Sequence, residues 1–292
     1  MDIKDLRIFV SVAKNGTVSQ AAKELNYVQS NVTTRIQKLE DELQTPLFHR
    51  HRKGMHLNPE GKKLLVYAKE IISLMGEMKK AMQQSDQPAG KLDIGSVETV
   101  IKLPIILSSY NQKYPDVDLS LVTDVTERLI DQVLEHQLDG AFVSGFPKHH
   151  DLIQHPVFEE ELVLISNTKL HSIDELKTKP FLVFSKGCGY RAKLEQWLRD
   201  AGIVPKKMME FGTLETILGS VVSGLGVTLV PKSTIRRLEK KNLIICHPIP
   251  KKYQSISTVF IQRADSYESP TMTKFIETIN QCRTENRDSF IY

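Results

Sequence analysis

Three times within its first 43 residues this 292-residue chain repeats apolar side chains at helical spacing, with only a few residues between one repeat and the next. Leu6, Phe9, Val10 and Ala13 recur at i, i+3, i+4 and i+7, one face of a first helix. Gly16 ends that helix, and Thr17 or Ser19 is placed to cap a second, about 18–25, which buries Ala21, Ala22 and Leu25. The alanines matter because side chains this small let another helix cross at close range. After a short turn at Asn26-Tyr27 a third helix runs from about 28 to 43, with Val32, Ile36, Leu39 and Leu43 inward. Two short helices joined by a tight turn, with alanines at their crossing, form the helix-turn-helix pattern, whose second helix enters the DNA major groove.

At about 100° per residue, the face opposite Val32, Ile36 and Leu39 is centred on Ser30, Thr34 and Gln37. Asn31 and Thr33 flank it and Gln29 projects from the helix tip. All are small or amide side chains that can hydrogen-bond base edges. Arg35 and Lys38 lie further round, where phosphate contact is the expectation. The stretch from Thr45 to Gly61 reads as a two-stranded wing whose tip, Arg52-Lys53, sits over neighbouring phosphates. Arg50 can tie the wing to the helices by an ion pair instead of contacting DNA. Spacing alone leaves open an ordinary three-helix bundle with a solvated polar face.

Charge distribution favours the nucleic-acid reading. The chain carries a net charge of +4, and residues 1–63 hold 11 Lys/Arg against 7 Asp/Glu, so the remainder is balanced. The acidic start Met1–Asp5 is unlike a signal peptide, and no apolar run approaches the ~18 residues of a membrane helix. A cytoplasmic location without membrane contact is the expectation. Three widely spaced cysteines, Cys188, Cys246 and Cys282, suit a reducing compartment and offer neither a disulfide framework nor a zinc site.

The segments Ala21-Ala22-Lys23-Glu24-Leu25, Gln29-Ser30-Asn31-Val32-Thr33, Ile36, Leu39-Glu40, Leu43, Leu47-Phe48, Arg50 and Glu60-Gly61 closely resemble the LysR-type transcriptional regulators. The match is ordered, gap-free and about 60 residues long. This sequence departs from the family pattern at Val28, where a serine is usual, at Asn31, where a small alanine is usual, and at Asn58, usually threonine. Losing the hydroxyl at position 28 removes a helix cap worth about 1 kcal/mol.

From Asn58-Pro59-Glu60 the apolar pattern stays helical for some 27 residues, through Leu64, Leu65, Ala68, Ile71, Ile72, Met75, Met78, Ala81 and Met82. A helix of roughly 40 Å exceeds what a small domain can cover, so it should pair with its copy in a second subunit. Ser85–Gly90 reads as a hinge. Beyond it, short strands alternate with helices in two similar rounds, which argues for α/β units with largely parallel sheets in two subdomains. The expected strands are 91–95, 118–123, 140–143, 161–166, 180–184, 208–211 and 227–230. The expected helices are 99–113, 126–136, one near 172–177, 191–201 and 214–224. Ser257–Gln262 crosses back so that a last helix, 270–282, packs on the first subdomain.

The resemblance extends here through Leu138–Phe142, Gly187–Arg191, Glu210–Ile217 and Gly224–Pro231. It implies an α+β multidomain protein: a winged helix-turn-helix over 1–58 (helix-turn-helix about 18–37), a linker helix and hinge over 59–88, and a periplasmic-binding-protein-like effector domain over 89–292. Subdomain I would take about 89–161 and 266–292, and subdomain II about 162–265. The implied function is effector-modulated regulation of transcription. The implied partners are double-stranded DNA, a small-molecule effector, a second copy of the chain in a dimer or dimer of dimers, and RNA polymerase. Ligands in open α/β sheets bind beyond the carboxyl ends of strands. Ser96 and Thr99 after the first strand, Thr126 after the second, Gly145 after the third and Arg191 across the cleft are therefore the candidate contacts for a small anionic metabolite.

Rival readings find less support. No His-Glu-x-x-His helix, Gly-x-Ser-x-Gly elbow or phosphate loop occurs, so no catalytic residue, metal site or cofactor is expected. His149-His150 is an isolated pair in a loop, read as solvated. A solute-binding protein would suit the second half alone but not the DNA-reading module. A thiol sensor would need Cys188 to find a resolving partner, and the next cysteine is Cys246, so packing is preferred for Cys188.

Overall fold

The computed structural model describes residues 1–51, 54–82, 87–100, 102–145, 148–170 and 173–285. The chain divides into two compact units, Met1–Gln84 with Glu135–Gln137, and the remainder.

In the first unit, α1 (Ile3–Asn15), α2 (Val18–Glu24) and α3 (Gln29–Glu42) pack around Leu6, Phe9, Val12, Ala21, Ala22, Val32, Ile36 and Leu39. Helix α1 starts on a reciprocal capping box between Asp2 and Asp5 and ends at Gly16, whose φ of 69° requires a residue without a Cβ penalty. Thr17 caps α2 by accepting the Gln20 N–H at 3.3 Å. Val28 opens α3 with no side-chain bond to the first turn, as the missing hydroxyl requires. Helix α3 stops at Glu42, so Leu43 lies past the buried face and is exposed, unlike the expected core residue. Strands β1 (Phe48–His51) and β2 (Gly54–Leu57) form the antiparallel wing. Helix α4 (Pro59–Met82) follows, with the Asn58 Oδ1 accepting the Gly61 N–H at 2.7 Å. A Cβ on Gly61 would meet the Leu47 carbonyl at 2.1 Å, so the wing can pack here only against glycine.

The apolar stripe of α4 faces two ways. Ala68 is fully buried and Leu64, Leu65 and Ile72 pack on the first unit's core. Tyr67, Ile71, Leu74 and Met78 form a second, exposed row with steps of four, three and four.

The second unit opens with β3 (Gly90–Ser96), α5 (Leu103–Lys113), β4 (Val117–Thr123), α6 (Thr126–Leu134) and β5 (Gly140–Ser144). Next come β6 (Leu152–Ser166), β7 (Pro180–Val183), α7 (Gly189–Asp200), β8 (Lys207–Glu210), α8 (Leu214–Val222) and β9 (Thr228–Pro231). The last elements are α9 (Arg236–Lys240), β10 (Ile245–His247), β11 (Ser255–Arg263) and α10 (Pro270–Glu285). The expected helix near 172–177 is a short 3-10 turn, Ile173–Lys177.

Strand order is β10-β6-β11-β5-β3-β4, with β9 also on β6 and a separate parallel pair β7-β8. The β3–β4, β3–β5 and β7–β8 pairs are parallel as expected, but β6, β9, β10 and β11 all pair antiparallel. The departure comes from β6, which runs for 15 residues instead of the six expected, and from β11 beside it. Leu152 and Val157 of β6 belong to one hydrophobic core, with Phe142, Phe260 and Phe275; Leu162–Ile165 belong to another, with Phe181, Trp197 and Ile217. These are two subdomains sharing a two-strand ribbon. Helix α5 begins at Leu103, four residues later than expected, because Pro104 takes the first helical turn and fixes where it starts. Thr99 therefore lies in the turn before α5.

Candidate functional sites

On α3, Gln29, Ser30, Thr33, Thr34, Gln37 and Lys38 are exposed and Asn31 is half-buried. The Thr33 hydroxyl bonds back to the Gln29 carbonyl at 3.0 Å. Arg35 turns inward: its guanidinium donates to the buried Asp5 carboxylate at 2.6 Å and lies 3.7 Å from Asp2. It is a strut between α3 and α1, so a phosphate would have to compete with two carboxylates for it. Arg50 pairs with Glu40 at 2.8 Å, and the other Glu40 oxygen accepts the Leu47 N–H at 2.8 Å. One carboxylate thus clamps the wing to α3. Arg52 and Lys53 lie outside the described residues. Sequence reasoning passed over three exposed wing histidines, His49, His51 and His56, whose rings form a row at 6.4 and 6.3 Å. The period-two spacing of 49 and 51 was the available signal.

In the second unit a cavity of about 190 Å³ opens at the carboxyl ends of β3, β4, β7 and β8. Its polar lining includes Glu98, Thr99, Asp124, Arg128, Ser185 and Tyr190. The Thr99 hydroxyl donates to the Tyr190 oxygen at 2.6 Å. That oxygen lies 3.3 Å from both Ser144 Oγ and Glu160 Oε2, and Ser144 continues to Thr258 at 2.8 Å. Ser233 donates to the other Glu160 oxygen at 2.7 Å. Burial raises the Glu160 carboxyl above its ordinary range, with the Ser233 and Tyr190 hydroxyls and nearby Lys102 pulling the other way. Burial likewise pushes the Tyr190 phenol up. Glu98 reaches from the first subdomain to accept the Leu214 N–H at the start of α8, 2.9 Å away.

Of the five expected effector contacts, Thr99 lines this cavity; Ser96, Thr126, Gly145 and Arg191 fall outside its lining. The Ser96 hydroxyl bonds to the Val97 carbonyl, and Thr126 bonds to the Ser144 carbonyl at 3.2 Å. Gly145 has a φ of 68° and packs beside Gly189, where a Cβ would meet the Ser144 carbonyl at 2.1 Å. Arg191 donates to Glu195 at 2.8 Å, Glu210 at 2.7 Å and the Phe184 carbonyl at 3.0 Å. Cys188 is buried, and burial pushes its thiol up against the pull of the α7 N–H groups. Glu98, Asp124, Arg128 and Tyr190 are the residues that sequence reasoning did not single out here.

A wider groove of about 820 Å³ runs along α5, β6 and α10, past Ile105, Val157, Phe158 and Ile279. It lies beside the strands, whereas ligands of open α/β sheets sit beyond strand ends, so the smaller cavity is the better candidate. Among the described residues, His149, His150 and Asp151 are the one grouping of metal-ligating side chains, within 4.8 Å of one another on a largely exposed loop. No helix among the described residues is long and apolar enough to cross a membrane.

The family described as "Bacterial regulatory helix-turn-helix protein, lysR family" matches residues 3–62, and "LysR substrate binding domain" matches residues 85–283. The chain is 61% identical over 279 residues to the HTH-type transcriptional regulator SoxR of Arthrobacter sp. (strain TE1826), covering 96% of each. It superposes on a full-length OxyR variant from Pseudomonas aeruginosa with a TM-score of 0.72 at 23% identity, covering 97% of this chain and 95% of that one. Full-length CbnR complexed with its target DNA gives a TM-score of 0.67 at 22% identity, covering 96% and 99%.

Proposed function

The chain belongs to the LysR family of bacterial helix-turn-helix transcriptional regulators, and from that footing we propose that α3 reads the operator, α4 forms the dimer seam and the strand-end cavity receives the effector. It is a DNA-binding regulator with an effector-binding domain, and not an enzyme. The division proposed is 1–58 for DNA binding, 59–88 for dimerisation and 89–292 for sensing. Action on promoters places the protein in the cytoplasm, with RNA polymerase as the partner its output reaches.

The observation that carries the DNA reading is the polar, solvent-facing N-terminal half of α3 set on a fully buried apolar face. Ser30 and Thr34 sit at the centre of that surface, and Gln29, Asn31 and Thr33 border it. Lys38, with Arg52 and Lys53, which follow β1 in sequence, supplies phosphate contacts, while Arg35 contributes chiefly by fixing the pose of α3. Footprinting on the protein's own upstream DNA tests this. At fixed salt, Thr34→Ala should relax preference at one base position, by about 1–3 kcal/mol for a good contact, and leave nonspecific binding intact. An unchanged base preference would remove Thr34 from the reading face.

The effector proposed is a small acid. Arg128 and the first N–H of α8 are the groups that suit its carboxylate, and Glu98 now occupies that N–H with a carboxylate of the protein's own. Thr99 and Tyr190 supply hydroxyls beside it.

A further inference from the structure

The cavity at the strand ends has a charge inventory that a simple anion does not match. Among the described residues lining it, the charged ones are Glu98, Asp124 and Arg128, two carboxylates against one guanidinium. Arg128 is the weaker electrostatic partner of the three, because it is largely exposed and stands 3.7 Å from Asp124. Asp124 is three-quarters buried; one of its oxygens accepts the Val125 N–H at 2.8 Å, which aims the carboxylate and leaves acceptor capacity over. A monoanion entering this space would face a net negative wall with one screened cation to offset it. A ligand with a positive group as well meets complementary charge on both sides.

Resting on the cavity assignment above, we infer that the effector is a small α-amino acid bound as a zwitterion. Its ammonium lies between Asp124 and Glu98. Its carboxylate takes Arg128 and the Leu214 N–H, from which Glu98 turns away to meet the ammonium. Charge is conserved in that exchange: the ligand carboxylate replaces the protein's at the helix, and the freed protein carboxylate gains a cation. The remaining walls suit a short side chain, since Val97, Val125 and Phe184 are apolar. The cavity volume, about 190 Å³, favours a short side chain over a large one. Thr99 and Tyr190 add directional hydroxyls that both a carboxylate and an ammonium can use.

Titration calorimetry on the full-length protein tests this with L-alanine, L-serine, L-threonine and L-valine. Each is paired with the acid lacking its amino group and the amine lacking its carboxylate, and succinate serves as a dianion. At least one amino acid should bind, with both its counterparts roughly tenfold weaker or worse, as expected for losing a charged hydrogen bond. Asp124→Asn keeps an oxygen for the Val125 N–H and should remove a similar factor for the amino acid while leaving the amine-free acid binding no more weakly than before. Glu98→Gln should act in the same direction. If an amine-free acid or succinate binds as tightly, if no amino acid of the set binds, or if both variants bind normally, the inference is overturned. Gly212→Leu separates this from the site itself. Gly212 lines the cavity and a Cβ added there meets no heavy atom within 4 Å, so a leucine can be introduced at the cavity wall without a clash at its Cβ. Any ligand that still binds Gly212→Leu normally sits elsewhere, and the cavity assignment falls with it. An amine-free acid that Gly212→Leu excludes leaves the cavity standing and overturns only the amino-acid class.

Discussion

Glu160 is a carboxylate held among hydroxyls, with Ser233 on one oxygen and Tyr190 on the other, and burial raises its affinity for a proton. A carboxyl raised in the folded state stabilises the fold fully below the unfolded glutamate range of about 4.3, and that contribution is lost as pH rises through the higher folded value. Glu160→Gln keeps both hydrogen-bonding positions and cannot ionise. The variant should therefore melt a few degrees above the parent at pH 8, with the gap closing toward pH 4.5; roughly 2–4 °C corresponds to 1 kcal/mol in a domain this large. A gap that is flat or reversed with pH, measured by thermal unfolding, would mean that Glu160 is ionised at no cost. Little of this was legible in the sequence, where Glu160 is the middle of three consecutive glutamates and nothing marks it as the buried one. Thr99 was legible as a strand-end hydroxyl. Tyr190, Asp124 and Glu98 were not, because strand-end loops far apart in sequence meet only once the sheets are assembled. Val28 was legible in full: a valine has no oxygen to offer a helix start, and the start of α3 is uncapped.

Helix α4 carries a single apolar stripe in sequence and two faces in the structure. Ala68 and Ile72 pack inward on α1 and its neighbours, while Tyr67, Ile71, Leu74 and Met78 stand exposed at coiled-coil spacing. Charges placed on the two faces should have different consequences. Leu74→Glu with Met78→Glu should leave the helix-turn-helix folded and shift sedimentation toward monomer, with operator affinity falling because two half-sites are no longer linked. Ala68→Glu should instead destabilise the DNA-binding unit by several kcal/mol, since Ala68 is fully buried and the change puts an unpaired carboxylate there. A dimer that survives the double substitution at full strength would place the seam elsewhere. Periodicity located most of the helices to within a few residues, and it missed the length of β6 for an identifiable reason. Its first ten residues, Leu152–Glu161, contain Pro156 and three glutamates, which argue against a strand. The proline is accommodated where the pairing with β11 slips register, between Thr258 and Val259, so its missing N–H falls at an irregularity in the ladder.

At the scale of the molecule, two rounds of strand and helix were readable as two subdomains, and the resemblance at the N-terminus extended to nearly the whole chain. The antiparallel partners were not readable, because alternation of strand and helix carries no information about a strand that leaves one sheet and finishes in another. β6 does so, with β11 paired beside it from Phe158 opposite Thr258 to Glu161 opposite Ser255. The passage between the two cores is therefore a hydrogen-bonded ladder, not a pair of loose linkers. A ladder resists bending in its own plane and yields to twist, so the cores can turn about the ribbon's long axis far more cheaply than they can separate. Opening and closing around an effector then leaves the ribbon's amides bonded throughout. Hydrogen exchange should find the Glu160, Leu162 and Ile256 amides, which lie in the ladder, equally slow with and without ligand, while the Leu214 amide, held now by Glu98, changes. Faster exchange in the ribbon on ligand release would mean that the cores part by breaking the ladder. If the ladder holds, the ribbon behaves as a torsion bar: it stores the ligand's message as an angle between two rigid bodies, with no backbone bond broken to send it.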